Sequence, residues 1–176
     1  MKLVKKKLIN LVILGLLSLP SLVNAHAMVA QHGTLNFVDN NVFLMLSMPI
    51  SAFSGIDDNK NGNISMVEFN LHRKKISRDV KESVYLTAVK EKLLIDGLLL
   101  NPSTSHIKGD NNIDQITVMG RYLLPNSAIK VNFNVKLFGE TVALKTYDIT
   151  ATNKKQGLTE QFNITSGTPS IQVFKK

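Results

Sequence analysis

Between Ile129 and Leu137 every second residue is apolar. Ile129, Val131, Phe133, Val135 and Leu137 alternate with Lys130, Asn132, Asn134 and Lys136. A period of two places the two sets on opposite faces of a strand, so the segment buries one face and wets the other. Comparable runs recur at roughly ten-residue spacing along the chain. Thr34–Val38 and Val42–Met48, joined by the turn Asp39-Asn40-Asn41, read as a hairpin. Its second strand is apolar on both faces, as suits a central position, and Pro49 ends it. Val84–Ile95 and Gly97–Leu100 read as strands or a hairpin, with helix still open as far as Leu94, and Asn101–Asp110 reads as a loop. Ile113–Leu124 is a strand region broken at Gly120, and Phe138-Gly139-Glu140 turns the chain into Thr141–Thr150. Glu160–Thr165 and Ser170–Phe174 complete the series. Seven to nine short strands at this spacing predict a mainly β chain built as a two-sheet β-sandwich.

One interval departs from the pattern. From about residue 50 to residue 83 the sequence carries a polar loop followed by an amphipathic helix, inserted after the second strand of an otherwise immunoglobulin-like sandwich. In Asp57-Asp58-Asn59-Lys60-Asn61-Gly62-Asn63-Ile64-Ser65-Met66-Val67-Glu68, side-chain oxygens fall at positions 1, 3 and 5 and glycine at position 6. Ile64 at position 8 is the apolar residue that would tie the loop to a strand or to the core. Ser65 begins a capping box with Glu68, so the helix is expected from Ser65 to about Ser83. Phe69, His72, Ile76 and Val80 form its apolar stripe, which reads His72 as a packed histidine. Arg73, Lys74, Lys75, Arg78 and Lys81 fill the wet face.

These twelve residues resemble the EF-hand calcium loop. The resemblance implies one Ca2+ ion held by Asp57, Asn59 and Asn61, by the carbonyl of Asn63, by Ser65 directly or through water, and by both oxygens of Glu68. Only Asp57 and Glu68 bring charge to the ion, because Asp58 at position 2 points away. That donor set predicts weak binding, ~10⁻⁴ to 10⁻³ M, as in extracellular modules. Pro49–Ile56 leaves room for about one turn before the loop, with Gly55 interrupting it, and no second loop of this form appears in the chain. The pattern is similar to the single-loop, strand-entered variants of exported proteins. It suits a structural site better than a paired sensor.

Residues 1–25 have the three-part form of a secretory signal peptide: four lysines by Lys7, an apolar run Leu8–Leu19, and a small-residue end at Ala25. The apolar run is short of the ~20 residues needed to span a bilayer, so cleavage after Ala25 is expected and no stable membrane span remains. The mature chain, 26–176, is expected to be one exported domain, periplasmic or secreted. The chain has no cysteine, so no disulfide can form and core packing, with or without a metal, must hold the exported domain. Losing Met1–Ala25 removes four of 21 basic residues and none of 13 acidic ones, which reduces the net charge from +8 to +4. The basic helix face has no aromatic interleaving on which bases could stack, so nucleic acid is not expected as a partner.

Cleavage after Ala25 would leave His26 as the N-terminus, with His32 close by in sequence. Exported copper proteins on β-sandwiches resemble this chain in starting with histidine, and the resemblance implies a copper or zinc carrier using His26 and His32 as the alternative function. The segment His32-Gly33-Thr34-Leu35, with Leu44-Met45-Leu46-Ser47-Met48-Pro49 and Gly55, is similar to the opening hairpin of a periplasmic zinc-uptake component family. The His-rich loop that carries zinc in that family is absent. No nucleophile elbow, zinc-protease helix or phosphate-binding glycine loop is present. The expectation is therefore a non-enzymatic calcium-binding protein, with an envelope protein as a further candidate partner.

Overall fold

The computed structural model describes residues 31–104, 111–125 and 130–175. The expected signal peptide, His26 and His106 lie outside that range. Among the described residues ten strands form two sheets, and one α-helix packs with them around one hydrophobic core. β1 (His32–Val38), β2 (Asn41–Pro49), β5 (Asp96–Thr104), β6 (Ile113–Leu123), β8 (Thr146–Asn153) and β9 (Leu158–Thr165) make a six-stranded sheet in the order β5-β6-β2-β1-β8-β9. β3 (Val84–Ala88), β4 (Glu91–Leu93), β7 (Val131–Val135) and β10 (Ser170–Val173) make the second, in the order β10-β7-β3-β4. All pairings are antiparallel except β1 with β8.

Alternation sets the inner faces. Leu35 and Phe37 of β1, Val42, Leu44, Leu46 and Met48 of β2, and Ile116, Val118 and Tyr122 of β6 are buried from one sheet. Val84, Leu86 and Ala88 of β3 and Val131, Phe133 and Val135 of β7 are buried from the other. Each large side chain withdrawn from water contributes about 1.5–3 kcal/mol before entropy is counted. Two tyrosines tie the layers together by donating to carbonyls, Tyr122 Oη to Val84 O at 3.3 Å and Tyr147 Oη to Leu137 O at 2.9 Å. Burial pushes both phenols well above the ordinary tyrosine range.

Several boundaries differ from the sequence reading. The Asn101–Asp110 segment is not all loop, because Asn101–Thr104 continues β5 against β6. β5 lies at a sheet edge, where Pro102 costs no interior ladder bond. β6 runs through Gly120 unbroken, since a Cβ there would stand 2.3 Å from Ile95 Cγ2 and glycine is what the close approach requires. The hairpin alternative over Val84–Leu94 is the one adopted, turning at Val89 and Lys90 with φ of 51° and 67°, as a tight hairpin requires. Val142–Leu144 forms a 3-10 turn, and the strand begins only at Thr146. β2 is central as expected, but its outer face is not fully covered: Phe43 remains 45% exposed.

The helix, α1 (Met66–Ser83), enters between β2 and β3, where the chain passes from one sheet to the other. Ser65 caps it through the full capping box. Phe69, Ile76 and Val80 join the core. His72 does not, as described next.

Candidate metal-binding loop

The approach to the loop is a single 3-10 turn, Ile50–Ala52, with no entering helix. Phe53 and Ile56 are buried and anchor this lead-in, and Gly55 turns it with φ 66°. Lys75 of α1 reaches back to donate to Ser54 O at 2.7 Å, which fixes the helix against the lead-in.

Within the loop the side-chain oxygens are drawn onto the loop's own amides. Asp57 accepts from Asn61 N at 3.2 Å and from Gly62 N at 2.9 Å, one oxygen each. Asn59 Oδ1 accepts from Asn61 N at 3.0 Å, and Asn61 Oδ1 from Asn63 N at 2.8 Å. These local bonds are the ones that Asp and Asn favour in turns. Lys60 and Gly62 supply the left-handed residues that the wrap needs, with φ of 58° and 79°. Three donors named in the sequence, Asp57, Asn59 and Asn61, are thereby folded over one short stretch of backbone.

Glu68 closes the loop. Its Oε1 accepts from Asp58 N at 3.1 Å, and its Oε2 accepts from Ser65 N at 2.9 Å and from Ser65 Oγ at 2.7 Å. Ser65 Oγ in turn accepts from Glu68 N at 3.2 Å. The glutamate is buried yet fully hydrogen-bonded. The Ser65 backbone N–H, and after it the Ser65 hydroxyl, hold the carboxyl below its ordinary value; partial burial opposes them, and the N–H groups of Asp58 and Asn59 lower it further. The charged form is thus the one this pocket favours. Asn63, whose carbonyl is the expected position-7 donor, stands between Gly62 and Ile64 on the exposed side of the turn.

Ile64 anchors the far side. It is buried and forms a backbone bridge with Ile113 at the start of β6, with Ile113 N donating to Ile64 O at 2.7 Å. The loop is therefore held at three points: the lead-in, the helix N-terminus and the first residue of β6.

One pair escaped the sequence reading. His72 Nε2 lies 2.9 Å from Asp58 Oδ1, so the histidine expected to pack in the core instead holds the second residue of the loop. The signal was available in spacing. His72 is four residues past Glu68 and so lies on the same helix face, one turn beyond the residue that closes the loop. His32 heads β1 with its Nε2 3.8 Å from Asp148 Oδ2, on the half-exposed rim of the six-stranded sheet.

Among the described residues no three His, Cys, Asp or Glu side chains converge. The loop's oxygens are two carboxylates supplemented by amide, hydroxyl and carbonyl groups. Such all-oxygen, weakly charged sets suit a hard cation such as calcium and are poor for zinc or copper, which prefer nitrogen and sulfur. No protein-family model matches the chain, and no curated protein sequence matches it.

Proposed function

We propose that this chain is an exported, non-enzymatic calcium-binding protein whose single EF-hand loop braces the junction between the β-sandwich and α1. Asp57, Asn59, Asn61, the Asn63 carbonyl, Ser65 and Glu68 would hold the ion, which supplies a positive centre on which both ends of the loop can close. The observation that carries the reading is the contact of Glu68 with Asp58 N, which brings position 12 of the loop back to its beginning at 3.1 Å. Supporting it are the left-handed Gly62 and the Ile64–Ile113 strap, each at the position such a loop requires.

The role follows from what the loop touches. It joins the lead-in, α1 and β6, so calcium would set the angle at which α1 leaves the sheet. With two charged donors and no partner hand, affinity in the ~10⁻⁴ to 10⁻³ M range is expected, which is sufficient where calcium is plentiful outside the cytoplasm.

Thermal melting in millimolar calcium and in chelator tests the structural role. The native chain should melt higher in calcium, and Asp57→Ala should melt at the same temperature in both. Equal melting of the native chain in the two buffers would remove the bracing role.

A further inference from the structure

On the wet side of α1, away from the loop, Lys74, Ser77, Arg78, Lys81 and Glu82 of the helix face Lys92 and Leu94 across an open groove of about 540 Å³. Four cations and one carboxylate line it, a local charge of +3. Residues 26–176 together carry +4, so this lining is more positive than the chain's average surface. Three cations elsewhere are paired, Lys75 with Asp79, Arg121 with Asp96 and Lys155 with Asp39, and within the groove Arg78 has Asp79 at 3.9 Å. No carboxylate among the described residues comes within salt-bridge distance of Lys74 or Lys81.

The helix does not need this row for its own stability. Lys81, in the last turn, complements the free carbonyls there, but Lys74 and Arg78 lie upstream of that effect. Lys74 with Arg78 and Arg78 with Lys81 are like charges at spacings of four and three, an arrangement that destabilises a helix by a few tenths of a kcal/mol per pair. Lys92 is already positioned, its ammonium donating to Glu82 O at 2.7 Å and lying 4.2 Å from the centre of the Tyr85 ring. A concave site lined by one sign of charge focuses its field on whatever enters.

We propose that this groove binds an acidic, extended peptide segment of a partner protein. Three features select that occupant over other polyanions. The site is a groove, which a single chain can enter and the plane of a bilayer cannot. Its lining holds no aromatic ring on which a nucleic-acid base could stack. Its far wall is Lys92 of β4 and Leu94 just past that strand, and β4 ends the four-stranded sheet with its outer edge unpaired among the described residues. An extended chain laid there takes backbone hydrogen bonds from β4 while its carboxylates meet Lys74, Arg78 and Lys81, and Leu94, 52% exposed, offers an apolar contact. The inference is independent of the calcium reading, since no residue of the loop lines the groove.

The test uses the full exported chain and a short fluorescent peptide alternating glutamate with threonine, followed by anisotropy at low and moderate salt. Saturable binding is expected that weakens with salt and falls at least about tenfold in Lys74→Glu/Arg78→Glu/Lys81→Glu. A control that reverses the exposed Lys145, Lys154 and Lys155 should bind as the native chain does. A circular-dichroism melt verifies that both variants fold, and Lys74→Gln/Lys81→Gln, with a smaller but measurable loss, serves if the triple reversal does not. Absence of binding, or equal loss in the groove and control variants, overturns the proposal. So does stronger binding to phosphatidylglycerol vesicles than to the peptide.

Discussion

His72 Nε2 stands 2.9 Å from Asp58 Oδ1, linking the second turn of α1 to the second residue of the loop. The pair is partly exposed, with 21% of the histidine and 49% of the aspartate side chain open to solvent, so solvent screening limits its strength. It orients more than it stabilises. Asp58 N meanwhile donates to Glu68, so the same residue is held from the helix through both its backbone and its side chain.

Replacing His72 with Leu should therefore cost about 0.5 kcal/mol, a shift in melting temperature of about 2 °C. Calcium affinity measured by calorimetry should change less than threefold, because neither His72 nor the Asp58 side chain is among the expected donors. A loss as large as that of Asp57→Ala would make Asp58 a direct ligand.

Ser65 has two roles that one substitution separates. Its hydroxyl caps α1 and donates to the closing carboxylate. Ser65→Ala should destabilise the fold by ~1 kcal/mol even in chelator, through loss of the cap. Ser65→Gly removes the same hydroxyl but should cost only a few tenths of a kcal/mol, because glycine is tolerated at an N-cap; equal losses in the two variants would place the cost in the hydroxyl's bonds rather than in the cap's backbone geometry. Chemical denaturation in chelator measures both.

Tyr122 and Tyr147 give the pH dependence. Burial raises both phenols in the folded state above their unfolded value, so the stability they confer is fully present below the unfolded value of ~10 and is lost progressively as pH rises from there toward the higher folded-state values. Tyrosinate absorbance from these two of the chain's three tyrosines should appear together with loss of secondary structure rather than before it. Ionisation of all three in a chain that stays folded would contradict their burial.

The sandwich was readable because alternation survives translation into burial: Val131, Phe133 and Val135 point inward as their spacing requires. What the sequence concealed depended on partners far away in the chain. Gly120 reads as a strand breaker until Ile95 is found packed against it, and Asn101–Thr104 reads as a turn until β6 is found pairing with it. Asn134, at a position where alternation predicts an exposed polar residue, is buried because its amide donates to Tyr85 O, Thr87 Oγ1 and Asn132 O. The helix cap at Ser65 and Glu68 was legible from spacing because its bonds are local, as are those from Asp57 to Gly62. Only His72, fourteen residues from Asp58, lay beyond that local range.

Glu68 is where the helix cap and the loop closure meet, and it is the residue that would clamp the proposed ion. Calorimetric titration of the exported chain with calcium should give one site with a dissociation constant of ~10⁻⁴ to 10⁻³ M, and Glu68→Gln, which keeps the side chain's size and removes its charge, should give no measurable heat. A native chain that takes up no calcium, or a Glu68→Gln chain that binds it as tightly as the native one, would contradict a calcium site at Asp57–Glu68.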